Sequence, residues 1–397
     1  MRILHTSDWH VGKTLRGESR LEEHRAVLAE IVEIARDEQA DIVLVTGDLF
    51  ESAAPPPEAK RLVFETLLAL HATGAKVVAI AGNHDHAREL DAVAPVFATV
   101  GIVLAGTVKP PERAGVIEHT TTTGERARIA LLPFLSQRYA VRAQQVLDLH
   151  AADATGAYAA RVEAVISALC ASFAPDAVNV LAAHLTVNNA ELGGGERRAQ
   201  TIFDYYVPPA VFPITATYTA LGHIHRAQRV EAACPAWYAG SPVQVDFGEH
   251  DDKQVLMVDA TAGAPAKVRT IPITSGWRLR TLRGTLGELR PQAGSVGDDR
   301  LRIQVVETAR VGLADEVREL FPGAVDVQIV APDRDGAGSP ESQQTRLGSD
   351  RNDRDLLTDY LATRNENDPD LVALFSRLLD EVNADARGET GERVGAG

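Results

Sequence analysis

The sequence predicts a layered α/β domain in which β-sheets are flanked by helices, followed by a small α+β capping region and a C-terminal helix pair. Three observations carry this. Short, partly β-branched apolar runs with turn residues beside them recur at 42–45, 77–80, 129–132, 178–183 and 218–221, as buried strands do. Stripes at helical spacing lie between the early runs: Leu21, Val27, Leu28, Ile31, Val32 and Ala35, then Ala59, Leu62, Val63, Thr66, Leu67 and Leu70 behind Pro55-Pro56-Pro57. Such alternation packs helices on a sheet. Near residue 333 the composition shifts to Asp, Arg, Gly, Ser and Gln, with almost no apolar residues.

These patterns divide the chain. Residues 1–270 form the α/β domain. Residues 271–332 read strand (278–282), short helix (286–289), strand (301–306), helix (313–320) and strand (325–330), a small α+β domain. The apolar-poor stretch 333–353 reads as a flexible linker. Residues 354–383 hold two short amphipathic helices. One carries Leu356, Leu357, Tyr360 and Leu361; the other starts at Asp368-Pro369 and carries Leu371, Val372, Leu374, Phe375, Leu378, Leu379 and Val382. A cap residue followed by proline is a helix-start signal, and the second stripe is more apolar than a short tail needs for itself, which suggests a partner. The Gly- and charge-rich residues 384–397 read as a disordered tail.

Bulk properties narrow the class. With 397 residues the chain is long enough for two or three domains. The formal charge of −15 argues against a passive nucleic-acid coat, which needs a basic face, but leaves room for an enzyme whose bound cations supply local positive charge. The two cysteines, Cys170 and Cys234, form neither a disulfide framework nor a zinc ribbon; a reduced cytoplasmic compartment is the expectation. The N-terminus shows no apolar signal core, and no apolar run approaches the ~18 residues of a membrane span.

The chemistry lies in five polar sites, each at the end of an apolar run: Asp8-Trp9-His10, Gly47-Asp48, Gly82-Asn83-His84-Asp85, His184, and Gly222-His223-Ile224-His225. Ligands gather at the carboxyl ends of strands in a layered α/β fold, so five such sites can converge. Singly, each has a plain reading: a D-x-H turn, a strand-ending Gly-Asp, a core histidine. Alternate histidines at 223 and 225 can share one face of an extended segment. Together, Asp8, His10, Asp48, Asn83, His184, His223 and His225 offer imidazole, carboxylate and amide oxygen without thiolate, a set that favours manganese or iron over structural zinc. Seven ligands exceed the need of one ion and suit two sharing a carboxylate, with Asp48 as the bridge. Two ions hold a phosphate oxygen, acidify a water and stabilise the leaving oxygen. His84, beside a ligand, is positioned to protonate that oxygen as general acid, its ring held by Asp85 or by a backbone carbonyl. Trp9 and the remaining histidines read as packing or surface residues, and the cysteines as small buried hydrophobes. Lys13, Arg16 and the loop Gly193-Gly194-Gly195-Glu196-Arg197-Arg198 are candidates for phosphate contact or simply solvated.

The motif order D-x-H, G-D, G-N-H-D, H, G-H-x-H resembles the calcineurin-like metallophosphoesterase superfamily. Longer strings are similar to its SbcCD-type nuclease-subunit family: His5-Thr6-Ser7-Asp8-Trp9-His10-Val11-Gly12-Lys13, Gly47-Asp48-Leu49-Phe50, Ala183-His184-Leu185-Thr186, Ala220-Leu221-Gly222-His223-Ile224-His225-Arg226-Ala227 and Tyr238-Ala239-Gly240-Ser241-Pro242. The resemblance implies one metal on Asp8, His10, Asp48 and His225, another on Asp48, Asn83, His184 and His223, and His84 as the catalytic histidine. Manganese is the implied metal, with magnesium or iron as alternatives. It further implies a DNA-facing capping domain, C-terminal helices docked on an SbcC-type ATPase, two nuclease subunits in a heterotetramer, and exonuclease and endonuclease action on DNA ends and hairpins in repair, recombination and replication. Some relatives carry histidine after Gly-Asp-x-Phe, where this chain has Glu51. Two other functions compete: a small-substrate phosphoesterase with the same metal core, and a degenerate DNA-tethering subunit. The material after His225 argues against the first, and the complete ligand set against the second.

Overall fold

Side chains alternate across a strand, so a strand buried on both faces must be apolar throughout and feed two cores. Strand β4 (Ile42–Val45) does this. Its Ile42 and Leu44 face one hydrophobic cluster and Val43 and Val45 another. Strand β1 (Arg2–Thr6) divides Ile3 and Leu4 in the same way. This explains why the sequence shows continuous apolar runs rather than strict alternation.

The computed structural model describes residues 1–136, 140, 143, 147, 158–193, 205–249 and 252–331. The expected linker, C-terminal helices and tail at 333–397 lie outside these residues, as do residues 194–198 of the glycine-arginine loop and His150 and His250.

Two six-stranded sheets build the α/β domain. The first comprises β1, β4, β5 (Lys76–Ile80), β6 (Val103–Ala105), β15 (Gln254–Asp259) and β16 (Lys267–Pro272), in the order β16-β15-β1-β4-β5-β6. Strands β1, β4, β5 and β6 run parallel, and β15 and β16 close the edge antiparallel. The second comprises β7 (Val116–Thr120), β8 (Arg126–Leu132), β9 (Val178–His184), β12 (Tyr218–Gly222), β13 (Gln228–Val230) and β14 (Ala236–Tyr238), in the order β13-β14-β12-β9-β8-β7. Two short pairs, β2 (Thr14–Leu15) with β3 (Glu18–Ser19) and β10 (Thr186–Val187) with β11 (Tyr206–Val207), stand beside them.

The inner faces meet in one cluster, Ile3, Ile42, Leu44, Val78 and Ile80 against Ile129, Leu131, Val180, Ala182 and Tyr218. Helices α1 (Leu21–Asp37), α2 (Pro57–Ala72) and α3 (Ala87–Ala98) cover the outer face of the first sheet. Helix α4 (Tyr158–Cys170) covers that of the second. The result is four layers, α/β/β/α, one form of the layered α/β domain that the sequence predicts. The stripe expected on α2 is its set of buried residues, and that on α1 is buried except for half-buried Leu21, with Glu23 and His24 added to it. Trp9 is fully buried in the outer core, and Cys170 and Cys234 are buried within the second sheet's core.

After β16, two residues past the expected boundary at 270, come β17 (Leu279–Gly284), α5 (Leu286–Leu289), β18 (Arg300–Val306), α6 (Leu313–Leu320) and β19 (Ala324–Val330). The three strands are parallel and share a core of their own with Leu289, Leu313, Val317 and Phe321. A buried ion pair anchors the approach to this region. Arg20 and Glu23, both with fully buried side chains, lie 2.6 Å apart. Arg20 also donates to the Gln244 carbonyl, and Glu23 accepts from the Trp277 backbone N–H. Glu30 on α1 accepts from the backbone N–H groups of Thr274 and Ser275. Among the described residues no helix is long and apolar enough to cross a membrane.

A buried charge stripped of its partner is strongly destabilising. Glu23→Ala should therefore lower the unfolding free energy by about 3–5 kcal/mol, read by urea denaturation; a change below the error of that measurement would show that Arg20 is rescued by water.

Candidate metal centre

Strands β1, β4 and β5 lead into Asp8, Asp48 and Asn83, while β9 ends on His184 and β12 leads into His223 and His225. Because the two sheets stack with these ends together, residues separated by up to 215 positions in sequence come into hydrogen-bond contact. Three groups of side chains present ligand atoms to one another: Asp8, His10 and His225; His10, Asp48 and His84; and Asp48, His184 and His223. Asp48 is common to the last two and His10 to the first two, so they form one continuous cluster. Asn83 joins it through its Oδ1, 2.9 Å from His184 Nε2 and 2.7 Å from His223 Nδ1.

Convergence of this kind strains the backbone. Asp8, His10, Asp48 and His223 all have positive φ, at 51°, 50°, 50° and 104°. Such values are uncommon for non-glycine residues and cluster where function imposes them. Glycines precede three of the ligand sites for a steric reason. A Cβ on Gly82 would overlap the Asp48 carboxylate, and one on Gly47 would overlap the His184 ring.

Tautomers follow from the surroundings. His184 Nδ1 donates to the Thr46 carbonyl at 2.7 Å. His10 Nδ1 faces Glu51 Oε2 at 3.0 Å, and His225 Nδ1 faces Glu249 Oε1 at 3.3 Å. In each case the outward nitrogen has an acceptor for its N–H, so that a neutral ring turns the Nε2 lone pair into the cluster, the arrangement typical of metal-binding histidines. The Thr46 carbonyl also accepts from Ser7 Oγ. Its hydroxyl meets His5, whose other nitrogen meets the Tyr218 hydroxyl at 2.8 Å. His5 is thus a buried bridge between the sheets.

The electrostatics are those of a cluster built around cations. Burial raises Asp8 to about 7, with the charge on Asp48 adding to the effect. Burial also opposes ionisation of Asp48, but His184, His84 and His10 outweigh it and hold Asp48 well below the usual carboxylate range. Burial works against a charge on His184, yet Asp48 raises it to about 9. Burial lowers His223 to about 3 and His10 to about 4. The chemistry of the donors fits divalent metal on three counts. Two carboxylates share a water-poor site, where uncompensated charge is costly. The Nε2 atoms of His10 and His225 face each other at 3.0 Å. His223 Nε2 is buried with no hydrogen-bond partner among the described residues.

All seven expected ligands meet here, and His84 joins them, its Nε2 4.0 Å from Asp48 Oδ2. Of the two supports expected for the His84 ring, the structure supplies the carbonyl: Nδ1 donates to the Glu51 backbone oxygen at 2.7 Å. Asp85 serves a different purpose. Its carboxylate accepts from the backbone N–H groups of Gly82, Leu49 and Phe50, so it ties two ligand loops together and does not hold the imidazole. Lys13 and Arg16 form ion pairs with Glu51 and Asp326, and the Arg16 side chain stays half exposed. Sequence reasoning missed Glu249, which follows no motif, and left Glu51 as a mere departure. The ligands other than half-buried Asn83 are at most 3% exposed. A cavity of about 710 Å³ opens beside Asn83, walled by His86, Arg88, Thr107, Phe134 and Ser136.

The calcineurin-like phosphoesterase family matches residues 1–226, more than half of the chain. The chain belongs to that family. Among calcineurin-like phosphoesterases it is similar to proteins named as the SbcD component of the nuclease SbcCD. The one from Bacillus subtilis strain 168 is 33% identical over 344 residues, 83% of this chain and 86% of the relative. That of Rhodobacter capsulatus is 36% identical over 68% of this chain and 69% of the relative. That of Escherichia coli K12 is 31% identical over 74% and 73%. Identity at this level over this span places the chain in the SbcD family of calcineurin-like phosphoesterases, as its motifs suggest.

The steric reading of the glycines gives a direct test. Gly82→Ala should displace Asp48 and reduce manganese bound per chain, measured by elemental analysis after gel filtration; full metal content would mean that the loop relaxes without cost to the site.

Proposed function

We propose that this chain is the nuclease subunit of an SbcCD-type complex, a two-metal phosphodiesterase that cuts DNA ends and hairpins in repair, recombination and replication. The carrying observation is the convergence of seven ligand side chains and His84 at the strand ends, in a chain that matches SbcD relatives over most of their length. One cation would rest on Asp8, His10, Asp48 and His225, the other on Asp48, Asn83, His184 and His223, and manganese suits these donors. When bound, two such ions supply Lewis acidity to the phosphate and to the attacking water.

The protein's own groups do the rest. Asp48, central and ionised, lies 3.5 Å from His184 Nε2 and 3.8 Å from His10 Nε2, the position of a shared carboxylate. His84 has its Nδ1 fixed on the Glu51 carbonyl and its backbone N–H on Asp48 Oδ1, so its Nε2 is aimed without freedom to rotate. A proton on Nε2 is then in place for the departing oxygen, as general-acid catalysis requires. The cavity beside Asn83 gives the phosphate a route to the centre. The apolar stripe at 371–382 supports docking on an SbcC-type ATPase, with two nuclease subunits in the assembly and a cytoplasmic setting for its DNA substrate.

The test is manganese-dependent cleavage of labelled hairpin DNA, beside a cyclic nucleotide and an aryl phosphodiester. DNA should be cut, and chelation should abolish the activity. Turnover only on the small substrates would sink the nuclease assignment while keeping the metal chemistry. In the same assay His84→Gln should keep its metal and lose about 100-fold or more in kcat, whereas Asp48→Ala should lose at least one metal equivalent. Removal of 354–397 should end co-purification with an SbcC-type ATPase and leave aryl phosphodiester hydrolysis intact; retained co-purification would place the docking surface elsewhere.

A further inference from the structure

The two halves of the metal centre are backed by different chemistry. On one side, the Nδ1 atoms of His10 and His225 each meet a carboxylate, Glu51 at 3.0 Å and Glu249 at 3.3 Å. On the other, His184 Nδ1 meets the neutral Thr46 carbonyl at 2.7 Å, while His223 turns its Nδ1 into the site, 2.7 Å from its fellow ligand atom Asn83 Oδ1, and its Nε2 meets no hydrogen-bond partner among the described residues.

Both carboxylates are themselves held. Glu51 Oε1 accepts from Lys13 Nζ at 3.1 Å. Glu249 Oε2 accepts from Lys253 Nζ at 2.7 Å and from the Val245 backbone N–H at 3.0 Å, and the Glu249 carbonyl accepts from Gln244 Nε2 at 2.6 Å. Each glutamate therefore commits one oxygen to its anchor and presents the other to an imidazole. A histidine that gives its outer N–H to a carboxylate has its tautomer fixed, its ring plane fixed and its inner nitrogen made more electron-rich. The two imidazoles treated in this way are those whose Nε2 atoms face each other at 3.0 Å beside Asp8.

We propose that Glu51 and Glu249 are a pair of positioning residues dedicated to one of the two metals, the one between Asp8, His10 and His225. The inference rests on the two-metal reading. Both carboxylates act on imidazoles of that metal, while of the imidazoles of the other, His184 is oriented by a neutral carbonyl and His223 meets no carboxylate on its outer nitrogen among the described residues. Glu51 has a second, separable part. Its backbone carbonyl holds His84, and that contact survives any side-chain substitution. A change at Glu51 should thus strike metal binding and spare the proton donor.

The experiment is a manganese titration of the full chain, followed by calorimetry and by the spin-resonance signal of free ion, for the wild type, Glu51→Gln, Glu249→Gln and Glu51→Ala. Wild type should bind two equivalents. Each glutamine variant should weaken one equivalent by about 10–100-fold and leave the other at its wild-type Kd, with Glu51→Ala weaker than Glu51→Gln because the amide still accepts the His10 N–H. Half-activation of phosphodiester hydrolysis should need more manganese by the same factor, with kcat at saturation within a factor of a few. Unchanged affinity, or equal weakening of both equivalents as general destabilisation would give, overturns the proposal and leaves two metals standing. No manganese bound by the wild type overturns the two-metal reading and the proposal with it. Glu51 is 30% exposed at its side chain, so its variants remain informative if buried Glu249 tolerates no change.

Discussion

Two carboxylates buried within one side-chain cluster set the terms for the rest of this structure. Asp8 and Asp48 are at most 1% exposed, and neither has a lysine or arginine at ion-pair distance among the described residues. Their counter-charge within the protein comes from imidazoles that burial itself tends to neutralise. Such an arrangement is poor for folding and good for cation capture, a conflict of the kind found where function overrides stability. The positive φ angles at Asp8, His10, Asp48 and His223 belong to the same conflict.

The double-sheet architecture makes the cluster possible. No single strand end could hold seven ligands, but two sheets stacked through Ile3, Leu44, Val180 and Tyr218 bring five strand ends together. The ligand shell then extends outward in order: imidazoles, then Glu51, Glu249 and Thr46, then Lys13, Lys253 and Ser7. Each layer fixes the one inside it, so geometry at the centre depends on groups outside the ligand set.

Most of the fold, and which side chains meet at the strand ends, were legible in the sequence, because both depend on local signals. Apolar runs mark strands whatever their partners, and a ligand such as Asp8 or His223 sits at a fixed offset from its run. What was not legible depends on pairing across the chain. Strand order, and hence which ends meet, is set by contacts between the sheets. Glu249 lies 24 residues from His225 with no motif between them to announce the contact. Asp85 misled for the opposite reason: adjacent to His84 in sequence, it turns the other way to collect backbone N–H groups from Gly82, Leu49 and Phe50. The ion pairs of Lys13 and Arg16 were not legible because Glu51 and Asp326 are remote from them in sequence.

Asp8, His10, Asp48 and Asn83 follow strands of the first sheet, while His184, His223 and His225 belong to the second. A cation that takes ligands from both sets is a staple through the sandwich, bound only when the sheets are docked. Ligand binding to the folded state alone adds about 2.7 kcal/mol at a concentration 100 times Kd. The same ion would thus serve the architecture as well as the chemistry. Without such an ion the sandwich would be less cohesive at the end where the ligand-bearing strands stop than at the opposite end, where the Met1 ammonium pairs with Glu125 and the Ala266 N–H reaches the Thr217 carbonyl.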